Sequence, residues 1–183
     1  MNFIPSHLNG CFIIEPKVLK DDRGYFMESY NENTFYSGTG QRVHFVQDNQ
    51  SYSSKGVLRG LHYQTGVHAQ AKLVRVIQGE VLDVVVDIRP ESATYGQSVS
   101  VLLSDENQRQ FFIPRGFAHG FLVLSDTALF FYKCDNLYNR ESEGGIYYND
   151  PALAIDWNLN REELIISEKD QHLPMFKDAR KVW

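Results

Sequence analysis

Closely spaced β-branched runs in the middle of the chain constrain its fold more than any other feature. Residues 72–89, KLVRVIQGEVLDVVVDIR, contain two such runs, broken at Gln78-Gly79. The break predicts a hairpin, and the first run alternates apolar and polar positions as a half-buried strand does. Three further runs have the same character: SVSVLL (98–103), RQFFIP (109–114) and TALFFYKC (127–134).

Helix signals are few, and short turn-rich segments separate the strand-like runs. NENTFY at 31–36 allows one or two helical turns, and Ser167 followed by Asp170 fits an N-cap with an acid at its third position. The tail PMFKDARKVW is expected to be a short helical or irregular extension. The sequence predicts an all-β, mostly antiparallel sandwich or barrel with short terminal helices. Such barrels commonly enclose a small-molecule pocket.

Length and charge narrow the classes of protein further. The 183 residues suit one domain, 1–183, and contain no repeat or linker. A formal net charge of -5 argues against non-specific binding to nucleic acid, although a small anionic ligand needs only local cations.

Cysteine usage and the N-terminus indicate where such a protein works. Cys11 and Cys134 lack a framework spacing and are expected to be reduced thiols. The start MNFIPSHLNGCFII is a poor signal peptide, and no apolar run approaches the roughly 18 residues that span a bilayer. The expected location is the cytoplasm, without membrane contact.

The segment RQFFIPRGFAHGF contains a P-x-G-x-x-H pattern that ends at His119. It resembles the second motif of the cupin superfamily, a double-stranded β-helix or jelly roll in which that histidine can bind a metal. The first cupin motif would place further ligands at His62, Gln64 and Lys72. An ammonium beside a divalent ion would repel it, and an amide is a poor ligand. The resemblance therefore implies a retained pocket without a metal site.

A metal-free pocket with these side chains has the parts for proton transfer. A neutral His62 can accept a proton near pH 7, and Lys72 can stabilise an enolate oxygen as charge develops on it. Tyr132 could donate a proton from another side. Together these groups could remove a proton next to a carbonyl and return it to the opposite face, which is epimerisation. No cofactor is needed if the substrate carries a ketone.

Several long stretches, in order along nearly the whole chain, resemble the dTDP-4-dehydrorhamnose 3,5-epimerase family. That family acts on dTDP-4-keto-6-deoxy-D-glucose and inverts C3 and C5, both next to the C4 ketone, in the dTDP-L-rhamnose pathway. The matching stretches are DDRGYFMESYN (21–31), FVQDNQSYSSKGVLRGLHYQ (45–64), AKLVRVIQGEVLDVVVDIR (71–89), IPRGFAHGFLVLS (113–125), FFYKCDNLYNRESEGGIYYNDP (130–151) and ISEKD (166–170).

The resemblance implies roles for the candidate catalytic residues. His62 would be the general base, Tyr132 the proton donor and Lys72 the group that stabilises the enolate at O4. Asp170 would pair with His62, because an acid bound to one ring nitrogen fixes the tautomer and raises the basicity of the other.

The resemblance also implies a set of substrate-binding residues and a homodimer. The family exchanges N-terminal strands between protomers, so Arg23 and Phe26 are expected to serve the partner's site. Arginine suits the pyrophosphate because its planar fork can bond two oxygens. The implied pyrophosphate ligands are Arg23, Arg59 and Lys169; Glu28, Gln47, Asn49 and Glu143 hold the nucleotide, His119 lies near the sugar, Phe26 occupies an aromatic position and Tyr138 stacks on thymine.

Each candidate also has a structural interpretation. His62 could be a core histidine, Lys72 an edge-strand lysine and Tyr132 a core aromatic residue. Asp170 could serve only the helix cap, and Arg59 could pair with a surface acid, although the adjacent glycine indicates close backbone approach. Four other acids, Glu15, Glu80, Asp83 and Asp87, are expected to be structural or solvated.

Three alternatives to the two-position epimerase stay open at this point. The first is an enzyme of the same family that inverts only C3 or only C5. The second is a metal-dependent cupin oxygenase or isomerase, and the third is a sugar-binding cupin without catalytic activity.

Overall fold

Two antiparallel sheets lie face to face in the computed structural model, which describes all residues from Met1 to Trp183. The first sheet has the strand order β1-β2-β10-β7-β12-β5, and the second has the order β13-β6-β11-β8-β9 with β14 parallel to β6. The strands are β1 (Asn2–Pro5), β2 (Phe12–Glu15), β3 (Val18–Asp21), β4 (Gly24–Met27), β5 (Gln47–Ser54), β6 (Val57–Gln64), β7 (Lys72–Gln78), β8 (Glu80–Asp87), β9 (Ser98–Ser104), β10 (Gln110–Ile113), β11 (Phe117–Val123), β12 (Thr127–Cys134), β13 (Glu143–Gly145) and β14 (Ile165–Ile166).

The main core fills the space between the sheets. Alternate residues of β7 and β12, among them Val74 and Phe130, meet residues of β8 and β11 such as Val85 and Phe121. The rings of Phe121 and Phe130 stack with their centroids 4.1 Å apart. Period-two alternation places one face of each strand in this layer.

The second sheet is also covered on its outer face. Val84 and Val86 of β8 pack there against Trp157 and other residues of the C-terminal segment. Burial on both faces explains why the β8 sequence EVLDVVVD is a nearly continuous apolar run and does not alternate. One part of the outer face of the first sheet lies under the helix α1 (Glu32–Thr39), through Phe35.

The predicted hairpin at 72–89 is wrong in its pairing. β7 and β8 are consecutive and turn at Gly79, but β7 pairs with β10 and β12 while β8 pairs with β9 and β11. The chain therefore passes from one sheet to the other at Gly79, whose φ of 82° suits glycine. A turn signal in the sequence fixes where the chain reverses, but not which sheet receives the next strand.

The other elements agree with the sequence. The strands predicted at 98–103, 109–114 and 127–134 are present, and the fold is the expected all-β jelly roll. The helix predicted at 31–36 extends to Thr39, and the tail contains one short 3-10 turn. Cys11 and Cys134 are free and buried. No helix has the length and apolar character to cross a membrane.

A short helix and an extended hairpin complete the structure. The helix α2 (Glu168–Gln171) begins after Ser167, whose hydroxyl accepts a hydrogen bond from the Asp170 N–H at 3.1 Å. The strands β3 and β4 pair with each other and with no other strand, and Phe26 on this hairpin is 70% exposed.

Asp87 offers a test of the packing at one end of β8. Its side chain is fully buried and accepts hydrogen bonds from Arg89, Ser92 and Thr94, and these bonds outweigh the effect of burial and lower its pKa to about 2. A carboxylate whose pKa is lowered on folding stabilises the protein above its unfolded pKa and loses that contribution as the pH falls through the folded pKa. The shift corresponds to about 2 kcal/mol.

We therefore expect Asp87→Asn to lower the free energy of unfolding by about 2 kcal/mol at pH 7. The difference from the parent should shrink between pH 4 and pH 2, as urea denaturation at several pH values would show. Asp22→Asn, at an exposed position without a side-chain hydrogen bond, is the control. If the parent and Asp87→Asn differ in free energy of unfolding as much at pH 2.5 as at pH 7, the Asp87 charge does not have this role.

Candidate active site

Two adjoining cavities open between the sheets at one end of the sandwich. Their volumes are about 490 and 640 Å³, and both are lined by His62, Lys72, Tyr132 and Lys169. These four residues come from β6, β7, β12 and α2, so the sandwich brings together side chains that are far apart in sequence. The first cavity adds Tyr138 and Glu143, and the second adds Asn49, Arg59, His119 and Asp170.

His62 and Asp170 form a close polar pair in the site. His62 Nε2 lies 2.7 Å from Asp170 Oδ1, and the His62 side chain is 41% exposed to the cavity while Asp170 is buried. Burial by itself would raise the pKa of Asp170, but hydrogen bonds from the His62 ring and the Gly60 N–H lower it below the usual value. With Asp170 ionised, Nε2 carries the proton and Nδ1 is the nitrogen that can accept another.

Asp170 combines the two roles that the sequence presented as rivals. Its backbone N–H binds the capping Ser167, while its carboxylate binds His62 and the Gly60 N–H at 3.2 Å. The cap thus uses the main chain of Asp170 and leaves both carboxylate oxygens for the strand.

The expected close approach at Gly60 is present. A Cβ atom on Gly60 would lie 2.6 Å from the Cα of Gly120 on β11, and its φ is 134°. Both strands need glycine where their backbones meet. The register of β6 against β11 shifts between His119 and Phe121, and it sets His62 directly opposite His119.

Lys72 brings an unpaired cation into the site. No protein group hydrogen-bonds its ammonium, which lies 5.8 Å from the centre of the Tyr132 ring. Burial lowers the pKa of Lys72, with a partial opposing effect from Cys134 and Asp83. Burial raises the pKa of Tyr132, which therefore stays protonated at neutral pH. The site combines an unsatisfied positive charge with a phenol that can donate a proton.

His119 is held by a second acid, Asp83. The two side chains are buried, with His119 Nε2 and Asp83 Oδ2 2.7 Å apart. Burial lowers the pKa of His119, although the nearby Asp83 carboxylate opposes this effect. The lowered pKa keeps the ring neutral. Asp83, expected to be structural or solvated, is buried against this ring.

Several of the expected nucleotide-binding residues lie around the same cavities. Arg59 has no acidic partner; its guanidinium donates only to Ser53 Oγ, at 3.2 and 3.3 Å. The surface ion pair considered for it is therefore absent. Lys169 pairs with Glu143 at 2.7 Å, and Gln47 Oε1 accepts the N–H of Tyr138 at 3.0 Å.

Besides Gln47, which lines neither cavity but binds the Tyr138 N–H, three expected residues lie away from the cavities of their own chain. Arg23, Phe26 and Glu28 lie on or just after the exposed β3–β4 hairpin and line neither cavity. The Arg23 side chain is 89% exposed and binds Asp21. A role for these residues in the partner's site stays a prediction.

The structure adds residues that the sequence did not indicate. Arg140 and Arg180 line the first cavity, from the loop after β12 and from the C-terminal tail. Gln70 lines it too, and its amide binds a main-chain carbonyl of that loop. Gln64, singled out in the sequence only as a former metal-ligand position, also lines this cavity and binds main-chain groups of the same loop. No local pattern marks Gln70, Arg140 or Arg180, because only the tertiary fold brings the loop and the tail to this end of the sandwich.

The residues at the cupin ligand positions do not fit a metal. Gln64 uses its amide on main-chain groups, and Lys72 presents an ammonium. No three His, Cys, Asp or Glu side chains are grouped so that they could share an ion.

Comparison with known proteins gives a consistent family. Residues 5–178 match the family model described as dTDP-4-dehydrorhamnose 3,5-epimerase. Similar proteins with that name occur in Methanothermobacter thermautotrophicus, 56% identical over 93% of this chain and 91% of the relative, and in Escherichia coli, 54% identical over 94% and 93%.

Solved structures give the same result. The dTDP-4-dehydrorhamnose 3,5-epimerase of Elizabethkingia anophelis has a TM-score of 0.95 and 56% identity, with 100% of this chain and 99% of that chain covered. A Legionella pneumophila dTDP-6-deoxy-D-glucose-3,5-epimerase, solved in complex with dTDP-4-keto-L-rhamnose, has a TM-score of 0.93 and 52% identity, with 97% and 93% covered.

The unpaired ammonium of Lys72 is expected to destabilise the fold at neutral pH. Lys72→Met keeps most of the side-chain volume and removes the charge, so it should raise the free energy of unfolding at pH 7 by about 1 kcal/mol. Since the pKa of Lys72 is lowered on folding, the unfolded chain binds more protons and parental stability rises with pH. The gain from Lys72→Met should therefore shrink toward pH 10, as urea denaturation would measure.

Lys181→Met, at an exposed position, is the matched control and should change stability by less than about 0.5 kcal/mol. A loss of stability in Lys72→Met at pH 7 would show instead that the ammonium is stabilised in the fold.

Proposed function

Because the chain belongs to the dTDP-4-dehydrorhamnose 3,5-epimerase family, we propose that His62 and Tyr132 are the proton-transferring pair of its active site. The chain is an isomerase of dTDP-L-rhamnose biosynthesis. It converts dTDP-4-dehydro-6-deoxy-α-D-glucose into dTDP-4-dehydro-β-L-rhamnose by inverting C3 and C5. Both carbons are next to the C4 ketone, so their protons are acidified by the carbonyl.

The proposed step begins with proton abstraction. His62 takes the proton from the carbon next to the ketone, the C–H electron pair forms the C=C bond of an enolate, and negative charge collects on O4. The Tyr132 hydroxyl then gives a proton to the opposite face of that carbon, and the C=O bond re-forms. Before the second inversion, the His62 imidazolium releases its proton to solvent and the Tyr132 phenolate takes one up. The same sequence at the second carbon then completes the reaction. The observation that carries this proposal is that His62 and Tyr132 line the same cavity from opposite sheets.

Lys72 is proposed to stabilise the enolate. Two unit charges about 4 Å apart interact by about 1 kcal/mol in water but by about 4 kcal/mol at an effective dielectric constant of 20. A partly buried ammonium without a protein partner therefore gives more stabilisation to a developing oxyanion than a solvated lysine would. Its interaction grows as the charge forms, so it lowers the barrier more than it strengthens ground-state binding.

Asp170 is proposed to orient His62. Its carboxylate binds Nε2 at 2.7 Å, which fixes the tautomer that leaves Nδ1 basic and stabilises the imidazolium formed after proton transfer. His119, neutral and held by Asp83, is proposed to contact the sugar.

The nucleotide is proposed to bind across the two adjoining cavities. Arg59 and Lys169 supply cations for the pyrophosphate, and Arg59 has no competing carboxylate. Tyr138, 56% exposed at the cavity, can stack on the thymine ring. Gln47, Asn49 and Glu143 are proposed to hold the nucleotide through polar contacts.

We further propose that the active protein is a homodimer. The β3–β4 hairpin has no partner strand in its own chain and exposes Leu19, Tyr25 and Phe26. Such a surface favours burial against a second copy. Arg23, Phe26 and Glu28 would then complete the partner's substrate site.

No cofactor is required by this chemistry, since the substrate carries its own ketone, and the proposed compartment is the cytoplasm. The four similar proteins described above are all named as 3,5-epimerases, which supports inversion at both carbons over inversion at one.

Incubation with the nucleotide sugar in D2O tests the reaction directly. The parent should incorporate deuterium at both C3 and C5, as NMR of the sugar would show. His62→Asn should reduce exchange at both carbons by a factor of about 10³ or more, because the base is gone. Tyr132→Phe should keep exchange but slow inversion, because abstraction and return then use the same face. Deuterium at one carbon only would identify a single-position epimerase, and none at either would refute the epimerase assignment.

Mixing two damaged variants tests the shared site. His62→Asn lacks the base and Arg23→Ala lacks the cation proposed to cross to the partner. After subunit exchange, half of the dimers are mixed, and each mixed dimer has one intact site, so activity should return to about a quarter of the parental value. Arg59→Ala in place of Arg23→Ala is the matched control. Because Arg59 is proposed to act in the site of its own chain, a dimer mixed with His62→Asn has one site without His62 and one without Arg59, so no activity should return. Equal recovery in both mixtures, or none in either, would refute the exchange of hairpins.

A further inference from the structure

The segment that carries Tyr138 is held by hydrogen bonds and not by burial of its large side chains. This Tyr138 loop, residues 135–139, follows β12 and contains two large side chains that are mostly exposed, Leu137 at 61% and Tyr138 at 56%. Their apolar burial contributes little to fixing the loop. Hydrogen bonds from outside the loop must therefore determine where Tyr138 stands.

Three glutamine side chains bind the main chain of residues 136–139, on both sides of Tyr138 and at Tyr138 itself. Gln70 Nε2 donates to the Asn136 carbonyl at 2.8 Å, and Gln47 Oε1 accepts the Tyr138 N–H at 3.0 Å. Gln64 makes contacts on both sides of Tyr138: its Nε2 donates to the Leu137 carbonyl at 3.2 Å, and its Oε1 accepts the Asn139 N–H at 2.6 Å.

Gln64 also ties the loop to a second segment. Its Nε2 donates to the His68 carbonyl at 2.7 Å, and the residue is only 5% exposed. The amide therefore donates two hydrogen bonds and accepts one, each with a different main-chain group. No other side chain type matches this set at the same length: a glutamate has no donor when ionised, and a neutral histidine has one donor and one acceptor.

We propose that Gln64 is a positioning residue for nucleotide binding, which acts through Tyr138. This role rests on the proposed function, in which Tyr138 stacks on the base. Gln64 holds the main chain before and after Tyr138, so it fixes the aromatic ring at the cavity wall before the ligand arrives. Pre-organisation of this kind lowers the ordering cost of binding. The chemistry at His62 and Lys72 does not use the loop.

Gln64→Glu tests the role with almost unchanged shape. The introduced carboxylate cannot donate to the carbonyls of His68 and Leu137 and would repel them. We expect the dissociation constant for dTDP, measured by calorimetry, and the KM for the sugar nucleotide to rise about tenfold or more, with kcat within about threefold of the parent. Amide hydrogen exchange at Tyr138 and Asn139 should accelerate.

Leu137→Ala is the matched control. It removes an exposed side chain from the same loop and keeps the carbonyl that Gln64 binds, so dTDP affinity and amide exchange should stay at parental values. An equal loss of affinity in Leu137→Ala would overturn the proposal. So would parental affinity and exchange in Gln64→Glu, or a loss of kcat at constant KM.

Gln70→Met gives a second measurement if Gln64→Glu does not fold. Gln70 is less buried than Gln64, and the substitution removes its one hydrogen bond to the Asn136 carbonyl. We expect the dTDP dissociation constant to rise about threefold. An unchanged dissociation constant would count against the proposal. Binding and exchange do not require turnover. An inactive parent would therefore refute the proposed function, whereas an active parent with indifferent Gln64 and Gln70 variants would refute only the positioning role.

Discussion

The geometry of the site depends on one buried carboxylate. Asp170 lies at the start of a four-residue helix, yet its oxygens reach across to the Gly60 N–H and the His62 ring on β6. Burying a carboxylate is costly unless donors surround it, and here the strand supplies two of them. The bond fixes the imidazole and at the same time joins the C-terminal segment to the second sheet.

The charge in the cavities is opposite in sign to the net charge of the whole molecule. The chain is acidic, but the two cavities contain the cations of Arg59, Lys72, Arg140, Lys169 and Arg180. Only Glu143 and Asp170 oppose them there. A cavity with low-dielectric walls and this excess of cations concentrates anionic substrates, whatever the net charge of the protein.

Much of the fold was accessible from sequence because strand alternation is a local property. The strand at 127–134 has the predicted limits, and the end of the one at 98–103 differs by a single residue. Sheet membership is not local, which is why β7 and β8 were wrongly paired. Among the candidate site residues, His62, Lys72 and His119 followed from motif spacing. Arg140 and Arg180 could not, because their place depends on how a loop and the tail fold back onto the cavity.

The contacts of Gln64 have a consequence for how this site can change over evolutionary time. In a metal-binding cupin the same position carries a histidine, so a return to metal chemistry would require that replacement together with the loss of the Lys72 ammonium. A histidine cannot bind all three main-chain groups that Gln64 binds, so the first step would loosen a loop before any ion could compensate. The opposite order would first remove the ammonium proposed to stabilise the enolate, so either order passes through an intermediate with impaired function. Such coupling between neighbouring positions makes the divergence from a metal site difficult to reverse by single substitutions.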